Sequence, residues 1–277
     1  METPIPLTQK AAILEDYEKD IVIKTDHPVV LPSELKPNER LIKLKFSGVC
    51  HSDLHIRKAD WSRKSILPLV GGHEGIGRIV AIGDGSHAGG VKIGDRVGVK
   101  WIGGVCGRCE MCRKGHESSC LLSFQIPVAF QEYIVSLVDY VTAILEALNG
   151  ASGTPILCAG MTVYKALKQS KCSIGQWVAI SGAGGGWTLS MTQAATNGGP
   201  QAAIVAAGDE KPFSQAIMYR RATGTLVAVG MPAGLNVHLT IVGSAIGNQQ
   251  DGAEALEIAA LGKVKCRCEV KKLEDIN

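Results

Sequence analysis

The segment Trp177-Val178-Ala179-Ile180-Ser181-Gly182-Ala183-Gly184-Gly185-Gly186 decides the fold. A short apolar run passes directly into a glycine cluster, as a strand buried on both faces passes into a tight turn. Three more runs of this kind follow: Ala202-Ala203-Ile204-Val205-Ala206, Thr225-Leu226-Val227-Ala228-Val229 and Ile241-Val242-Gly243-Ser244. Helix-like stretches separate them. Strands alternating with helices predict βα units on a parallel sheet.

Ahead of this region the character differs. Residues 1–160 read as β-rich and irregular, with short apolar segments at 41–46, 77–82 and 92–99 bounded by Gly, Asp and Ser turn signals. A helix is predicted from Ala159-Gly160-Met161-Thr162 through Val163, Ala166 and Leu167, where the apolar period is close to 3.6. The change of period places a domain boundary near Leu157. The length of 277 residues suits one large domain or two ordinary ones. With 29 basic and 26 acidic side chains the net charge is +3, too balanced for a nucleic-acid or membrane-surface footprint. No apolar run reaches the roughly 18 residues of a membrane helix. Residues 1–6 lack the basic start and apolar stretch of a signal peptide, so a cytoplasmic protein is expected. The nine cysteines are then metal ligands, catalytic groups or packing, not a disulfide framework.

Cys106-x-x-Cys109-x-x-Cys112-x(7)-Cys120 is the strongest local pattern. Closely spaced thiolates on one loop can wrap a zinc ion tetrahedrally, and four of them leave no open position, so this metal is expected to be structural. A dispersed second set comprises Cys50, His73 and Cys158, the S/N/S trio of a catalytic zinc that keeps its fourth position open. Taken singly, Cys158 reads better as a buried helix cysteine and His73 as a turn histidine; their combination with specific flanking residues favours ligation.

The flanks of these residues resemble the zinc-dependent medium-chain alcohol dehydrogenases, especially their yeast and fungal tetrameric branch. The resemblance rests on GVCHSDLH at 48–55, LPLVGGHEGIG at 67–77, KIGDRVG at 92–98 and KW at 100–101. CGRCEMC with Cys120, PILCAGMTVYKAL at 155–167, WVAISGAGGG at 177–186 and VGMPAG at 229–234 continue it in the family's order. It implies an α/β protein. A β-rich GroES-like catalytic domain spans 1–157 and is completed by 249–277; a shortened, doubly wound Rossmann-type coenzyme domain spans 158–248. It makes Cys50, His73 and Cys158 the ligands of the catalytic zinc, with Glu74 beside the metal and Asp53 orienting the histidine. Ser52 and His55 become the proton relay, and His51 a group near the cofactor pyrophosphate. Gly182, Gly184, Gly185 and Gly186 form the dinucleotide turn. Trp61, Trp101 and Met231 line a narrow alcohol pocket, although both tryptophans also read as core packing. Two Zn²⁺ per chain, NAD or NADP, a primary alcohol or aldehyde as substrate, and a homotetramer or homodimer follow from the same resemblance.

The pattern also breaks. Relatives are longer by roughly 70 residues. Gly185-Gly186-Trp187-Thr188 replaces the family's Gly-Gly-Leu-Gly, whose last glycine allows close helix–strand packing. The helix, strand and acidic ribose-binding residue expected next have no counterpart, and Asp209 reads as a surface loop residue after a later strand. A shorter segment follows Cys120, and residues 273–277 stand where relatives begin a helix. Two readings stay open: an alcohol dehydrogenase, and a zinc-binding pseudoenzyme with a structural or interaction role. Without the first crossover, strand 177–181 is expected to be an exposed sheet edge. Proteolysis is expected first between Gly184 and Gly199 and beyond Cys266. Cys266-x-Cys268 reads as extended strand, and the lysines around it as a solvated edge.

Overall fold

The computed structural model describes residues 4–61, 64–86, 90–125, 128–182, 192–193, 195–207, 209–230, 241–244 and 246–277. The chain forms two compact units, Met1–Gly160 with Asn248–Asn277, and Met161–Gly247. In chain order the first unit carries β1 (Thr8–Leu14), β2 (Val22–Pro28), β3 (Glu39–Gly48), α1 (His51–Lys58), β4 (Leu69–Val70), β5 (Glu74–Ile82) and β6 (Arg96–Val99). It continues with β7 (Ile102–Gly104), α2 (Glu110–Arg113), β8 (Phe124–Gln125), β9 (Tyr133–Leu137), β10 (Thr142–Ala143) and α3 (Gly150–Gly153). Helix α4 (Ala159–Gln169) leads into the second unit, which holds β11 (Val178–Ser181), β12 (Ala202–Val205), α5 (Glu210–Tyr219), β13 (Thr225–Ala228) and β14 (Ile241–Gly243). Helix α6 (Gln249–Ala260) returns to the first. No helix among the described residues is long and apolar enough to cross a membrane.

The first unit is built on an antiparallel sheet of order β10-β6-β5-β3-β9. Its inward residues Ile42, Ile79, Val97, Val99 and Ile134 form one core cluster with Ala129. A second sheet, β2-β1-β4, buries Ala11, Ala12 and Ile13 against Val70 and Phe130. Residues 92–95 form a turn rather than strand: the Asp95 carboxylate accepts from the Lys92 N–H at 2.9 Å, so β6 begins only at Arg96.

The second unit has the expected parallel sheet, of order β11-β12-β13-β14. Side chains alternate along β12 as a pleated strand requires. Ala203 and Val205 pack on Phe213 and Ala216 of α5, whereas Ile204 packs on Ala166 of α4. Helices on both faces explain why these strands read as unbroken apolar runs. Among the described residues β11 pairs with β12 alone, so it is the sheet edge the sequence predicts, and Trp177 and Ile180 are each 55% exposed. Asp209 is the exposed residue outside the helix that the sequence predicts, and it also caps α5, its carboxylate accepting the Lys211 N–H at 3.0 Å.

The tail also departs from expectation. Residues 263–272 are irregular rather than strand, and Cys268 is exposed. The last residues, however, are tied down. Leu273 and Ile276 pack on the Ala11–Phe130 cluster, Glu274 pairs with Lys10, and Asn277 makes a reciprocal pair with the Ile21 backbone (2.8 and 3.0 Å). A protease site beyond Cys266 therefore narrows to 267–272. The other predicted cut, between Gly184 and Gly199, falls largely outside the described residues.

Lys100, only 3% exposed, links the end of β6 to β10 and α6. Its ammonium donates to Tyr140 O and Thr142 Oγ1, both at 3.1 Å, and to Gln249 Oε1 at the start of α6. Burial pushes its pKa down from 10.5 to about 7, with Glu117 opposing. The unfolded chain keeps that proton up to about 10.5, so between 7 and 10.5 the unfolded state binds the extra proton and stability at this site rises with pH. Relative to Lys100→Met, the wild-type chain should gain about 2 kcal/mol between pH 7 and 9.5, read from paired urea unfolding curves. A constant gap between the two proteins would contradict this.

Candidate functional site

Strand β3 ends at Gly48, and its last register pair sets that glycine opposite Glu74. A Cβ at position 48 would lie 2.0 Å from Glu74 Oε2, so only glycine lets the buried carboxylate rest there. Two residues on, Cys50 is the N-cap of α1. Asp53 holds the corner together. Its Oδ2 accepts the Cys50 N–H at 2.9 Å, and its Oδ1 faces the Gly72 N–H at 3.2 Å and His73 Nδ1 at 3.3 Å. Gly72 has φ +85° and its Cα sits against the Phe130 ring, which turns His73 inward. Cys158 closes the site from the end of the Thr154–Leu157 turn, immediately before α4.

Cys50 Sγ lies 3.9 Å from Cys158 Sγ, and Cys158 Sγ lies 3.3 Å from His73 Nε2. Glu74 Oε1 is 3.9 Å from His73 Nε2. All four residues can present one donor atom within 4.8 Å of one another. Zinc bonds of about 2.3 Å to sulfur and about 2.0 Å to nitrogen require S–S and S–N separations of about 3.8 and 3.5 Å. The donor set therefore fits zinc, with His73 completely buried and Asp53 on its far nitrogen.

The electrostatics of the cluster match that use. Hydrogen bonding to Cys158 outweighs burial and, with His73 and Ser52, draws the Cys50 thiol down to about 3. Cys158 is pushed up by the same contact and by burial. Burial raises Glu74 to about 8, assisted by the Cys50 charge. Burial opposes the imidazolium of His73, yet the Asp53 and Cys50 hydrogen bonds lift it to about 9. Several acidic donors crowd a dry pocket, and a divalent cation is the group that lets them ionise together.

The second cluster is closer to solvent. Sulfur separations are 3.9 Å for Cys106–Cys112, 3.5 Å for Cys109–Cys112 and 3.7 Å for Cys120–Cys106, again the edges of a zinc–thiolate tetrahedron. The N–H groups of Arg108 and Cys109 point at Cys106 and pull its thiol down to about 6. Desolvation, then its thiol neighbours, pushes Cys112 up to about 12. Cys109 caps α2 by accepting from the Cys112 N–H.

Around the first cluster, Ser52 Oγ stands 3.7 Å from Cys50 Sγ. His51 Nδ1 and His55 Nε2 are 3.0 Å apart, one turn along α1. Trp61 stacks on His55 (centroids 5.5 Å, 26°) and meets Trp101 edge-on at 5.8 Å; Trp101 meets His73 edge-on at 4.9 Å. The two tryptophans thus form a continuous wall between His73 and His55. Gly182 ends β11 with φ +99°, within 3.2 Å of the Ala207 amide for any added Cβ. Gly184, Gly185, Gly186 and Met231 lie outside the described residues. One neighbour escapes sequence reading: the Asp60 carboxylate, 2.7 Å from His55 Nδ1. A histidine in the last turn of a helix with an acid five residues on is its only signature.

Comparison with known proteins gives the family. The family model for the alcohol dehydrogenase GroES-like domain matches residues 36–146. Alcohol dehydrogenase 2 of Emericella nidulans is 34% identical over 345 aligned positions, taking in 98% of this chain and 92% of that protein. The alcohol dehydrogenase of Schizosaccharomyces pombe is 34% identical over 320 positions, covering 94% and 90%. Both alignments are longer than the 277-residue chain, so gaps fall on its side. Among solved structures, CAD from Helicobacter pylori complexed with NADP(H) shares the fold at TM-score 0.81 and 21% identity, covering 98% of this chain and 92% of that one. With a third of positions identical across nine-tenths of the fungal enzymes, the chain belongs to the zinc-dependent medium-chain alcohol dehydrogenases, in their fungal branch.

Proposed function

We propose that this chain oxidises a primary alcohol to an aldehyde with NAD(P)⁺, yielding NAD(P)H and a proton, and runs the reverse reaction. The observation that carries the reading is the meeting of Cys50, His73 and Cys158 around one point with Glu74 beside it. These three would hold the catalytic zinc, and Cys106, Cys109, Cys112 and Cys120 the structural one. Zinc supplies Lewis acidity toward the alcohol oxygen and the dinucleotide supplies the hydride acceptor. The chain's own residues do the rest. Asp53 keeps His73 turned with Nε2 toward the metal position, and the buried Glu74 offers an alternative oxygen donor when ligands exchange. Ser52 would receive the substrate proton, and His55, further along α1, would pass it toward solvent. Trp61 and Trp101 would narrow the pocket and exclude water, and on the family resemblance Met231 would join them.

Within this reading the catalytic domain is 1–157 completed by 249–277, and the coenzyme domain is 158–248; the two compact units support that division. His51 and the glycines at 182, 184, 185 and 186 would contact the dinucleotide. A cytoplasmic homodimer or homotetramer is the assembly proposed, on the family resemblance. NADH titration tests the core of the proposal: its fluorescence should change saturably on adding the chain, at micromolar to sub-millimolar NADH. No change up to millimolar NADH would overturn the dehydrogenase reading and leave a zinc-binding pseudoenzyme.

A further inference from the structure

Resting on that reading, we infer that Asp60 is a positioning residue of the proton relay: it fixes the tautomer of His55 so that Nε2 is the proton acceptor. Helix α1 stops at Lys58 because Ala59 adopts the left-handed conformation, φ 53° and ψ 31°. That is an unfavourable choice for a residue with a Cβ, which glycine ordinarily fills. Its effect is to fold the chain back on the last turn of the helix, so that Asp60 and Trp61 both land on His55. Asp60 Oδ1 sits 2.7 Å from His55 Nδ1, and Trp61 stacks on the ring. The strained cap thus holds the imidazole between a carboxylate and an aromatic face.

The consequence is directional. An ionised carboxylate only accepts hydrogen bonds, so the hydrogen on neutral His55 must be on Nδ1. Nε2 then carries the lone pair, and it is Nε2 that faces His51, at 3.0 Å. A proton passed along the relay binds to Nε2 while the Nδ1–H bond to Asp60 stays in place. The ring becomes an imidazolium beside a carboxylate, and the proton leaves to water. Only N–H and O–H bonds change, and Asp60 keeps its charge throughout. Without Asp60 the remaining ring partner is His51, whose Nδ1 can either donate to or accept from His55 Nε2, so the commoner Nε2–H form, a donor where an acceptor is needed, becomes available.

The tautomer can be read directly in the zinc-loaded, full-length chain. ¹⁵N chemical shifts of histidine-labelled protein at alkaline pH distinguish the two neutral forms, with the His55 resonances assigned by their loss in His55→Gln. The expected result is Nδ1–H in the wild type and Nε2–H in Asp60→Ala. Asp60→Asn keeps an acceptor oxygen of the same shape and should retain Nδ1–H. In alcohol oxidation, Asp60→Ala should lose about tenfold in kcat with KM little changed, and Asp60→Asn should lose less. Asp60 is 44% exposed, so the variants should melt with the wild type. An Nε2–H tautomer in the wild type overturns the assignment, as does an Nδ1–H tautomer that survives in Asp60→Ala. A tautomer that moves with no fall in kcat removes Asp60 from the reaction and overturns it as well. If the wild type itself turns over no alcohol, the dehydrogenase reading fails, and the wild-type and Asp60→Ala spectra still decide the tautomer.

Discussion

Cys109→Ser should not fold into a stable, soluble protein. A structural zinc contributes about 10–16 kcal/mol of apparent binding energy, as large as the whole stability of an ordinary domain. The lobe carrying the four cysteines has little else to hold it, since α2 is a single turn and its cap is the Cys109 sulfur itself. Its loss would also spread. Glu117 Oε2 accepts the Gln249 N–H at 3.3 Å, and Gly115 O accepts from Asn248 Nδ2 at 3.3 Å, so the lobe moors the start of α6. Asn248 is the N-cap of that helix, paired reciprocally with Asp251. The measurements are the soluble fraction on expression, the melting temperature and the zinc content per chain. A soluble Cys109→Ser protein that melts normally and retains full metal would show the four-thiolate assignment to be wrong.

Cys158→Ala is the opposite experiment, with a large effect on turnover and a small one on folding. It removes one of three proposed ligands from a buried site while leaving the structural cluster whole. Zinc content should fall from two toward one per chain. Alcohol oxidation should fall by at least about 10³, because several kcal/mol of charge stabilisation at the reacting oxygen is lost and each 1.36 kcal/mol is worth tenfold. The zinc retained should be the one that resists dialysis. A variant with two tightly bound zinc ions, or with kcat within tenfold of the wild type, would remove Cys158 from the ligand set.

These two experiments address what spacing and pattern make visible. Cys106, Cys109, Cys112 and Cys120 are near neighbours in the chain, and a loop that short brings four thiols together whatever surrounds it. The four apolar runs beginning at 177, 202, 225 and 241 are legible for a similar reason. A strand buried on both faces must be apolar at every position, and β11 to β14 are where those runs predict. Even the edge at β11, which among the described residues pairs with β12 alone, was implied by the missing strand pattern in the sequence between 188 and 202.

By itself, then, the sequence determined the two-part α/β architecture, the family, and the identity of the candidate metal ligands. Tertiary structure alone decided how the ligands are aimed. Cys50 and Cys158 are 108 residues apart, and no local rule sets their sulfurs at 3.9 Å; the β3–β5 register and the Asp53 strap do. Lys100 can be buried because Thr142 of β10 and Gln249 of α6, both far away in the chain, accept from its ammonium. The final five residues dock because Leu273 and Ile276 find an apolar cluster assembled from β1, β4 and Phe130. Asp60 reaches His55 only because Ala59 takes a backbone conformation that its own sequence disfavours. The division has one cause. Periodicity and close spacing are properties of neighbours along the chain, whereas burial, hydrogen-bond partners and tautomer are set by residues that meet only after the core has packed.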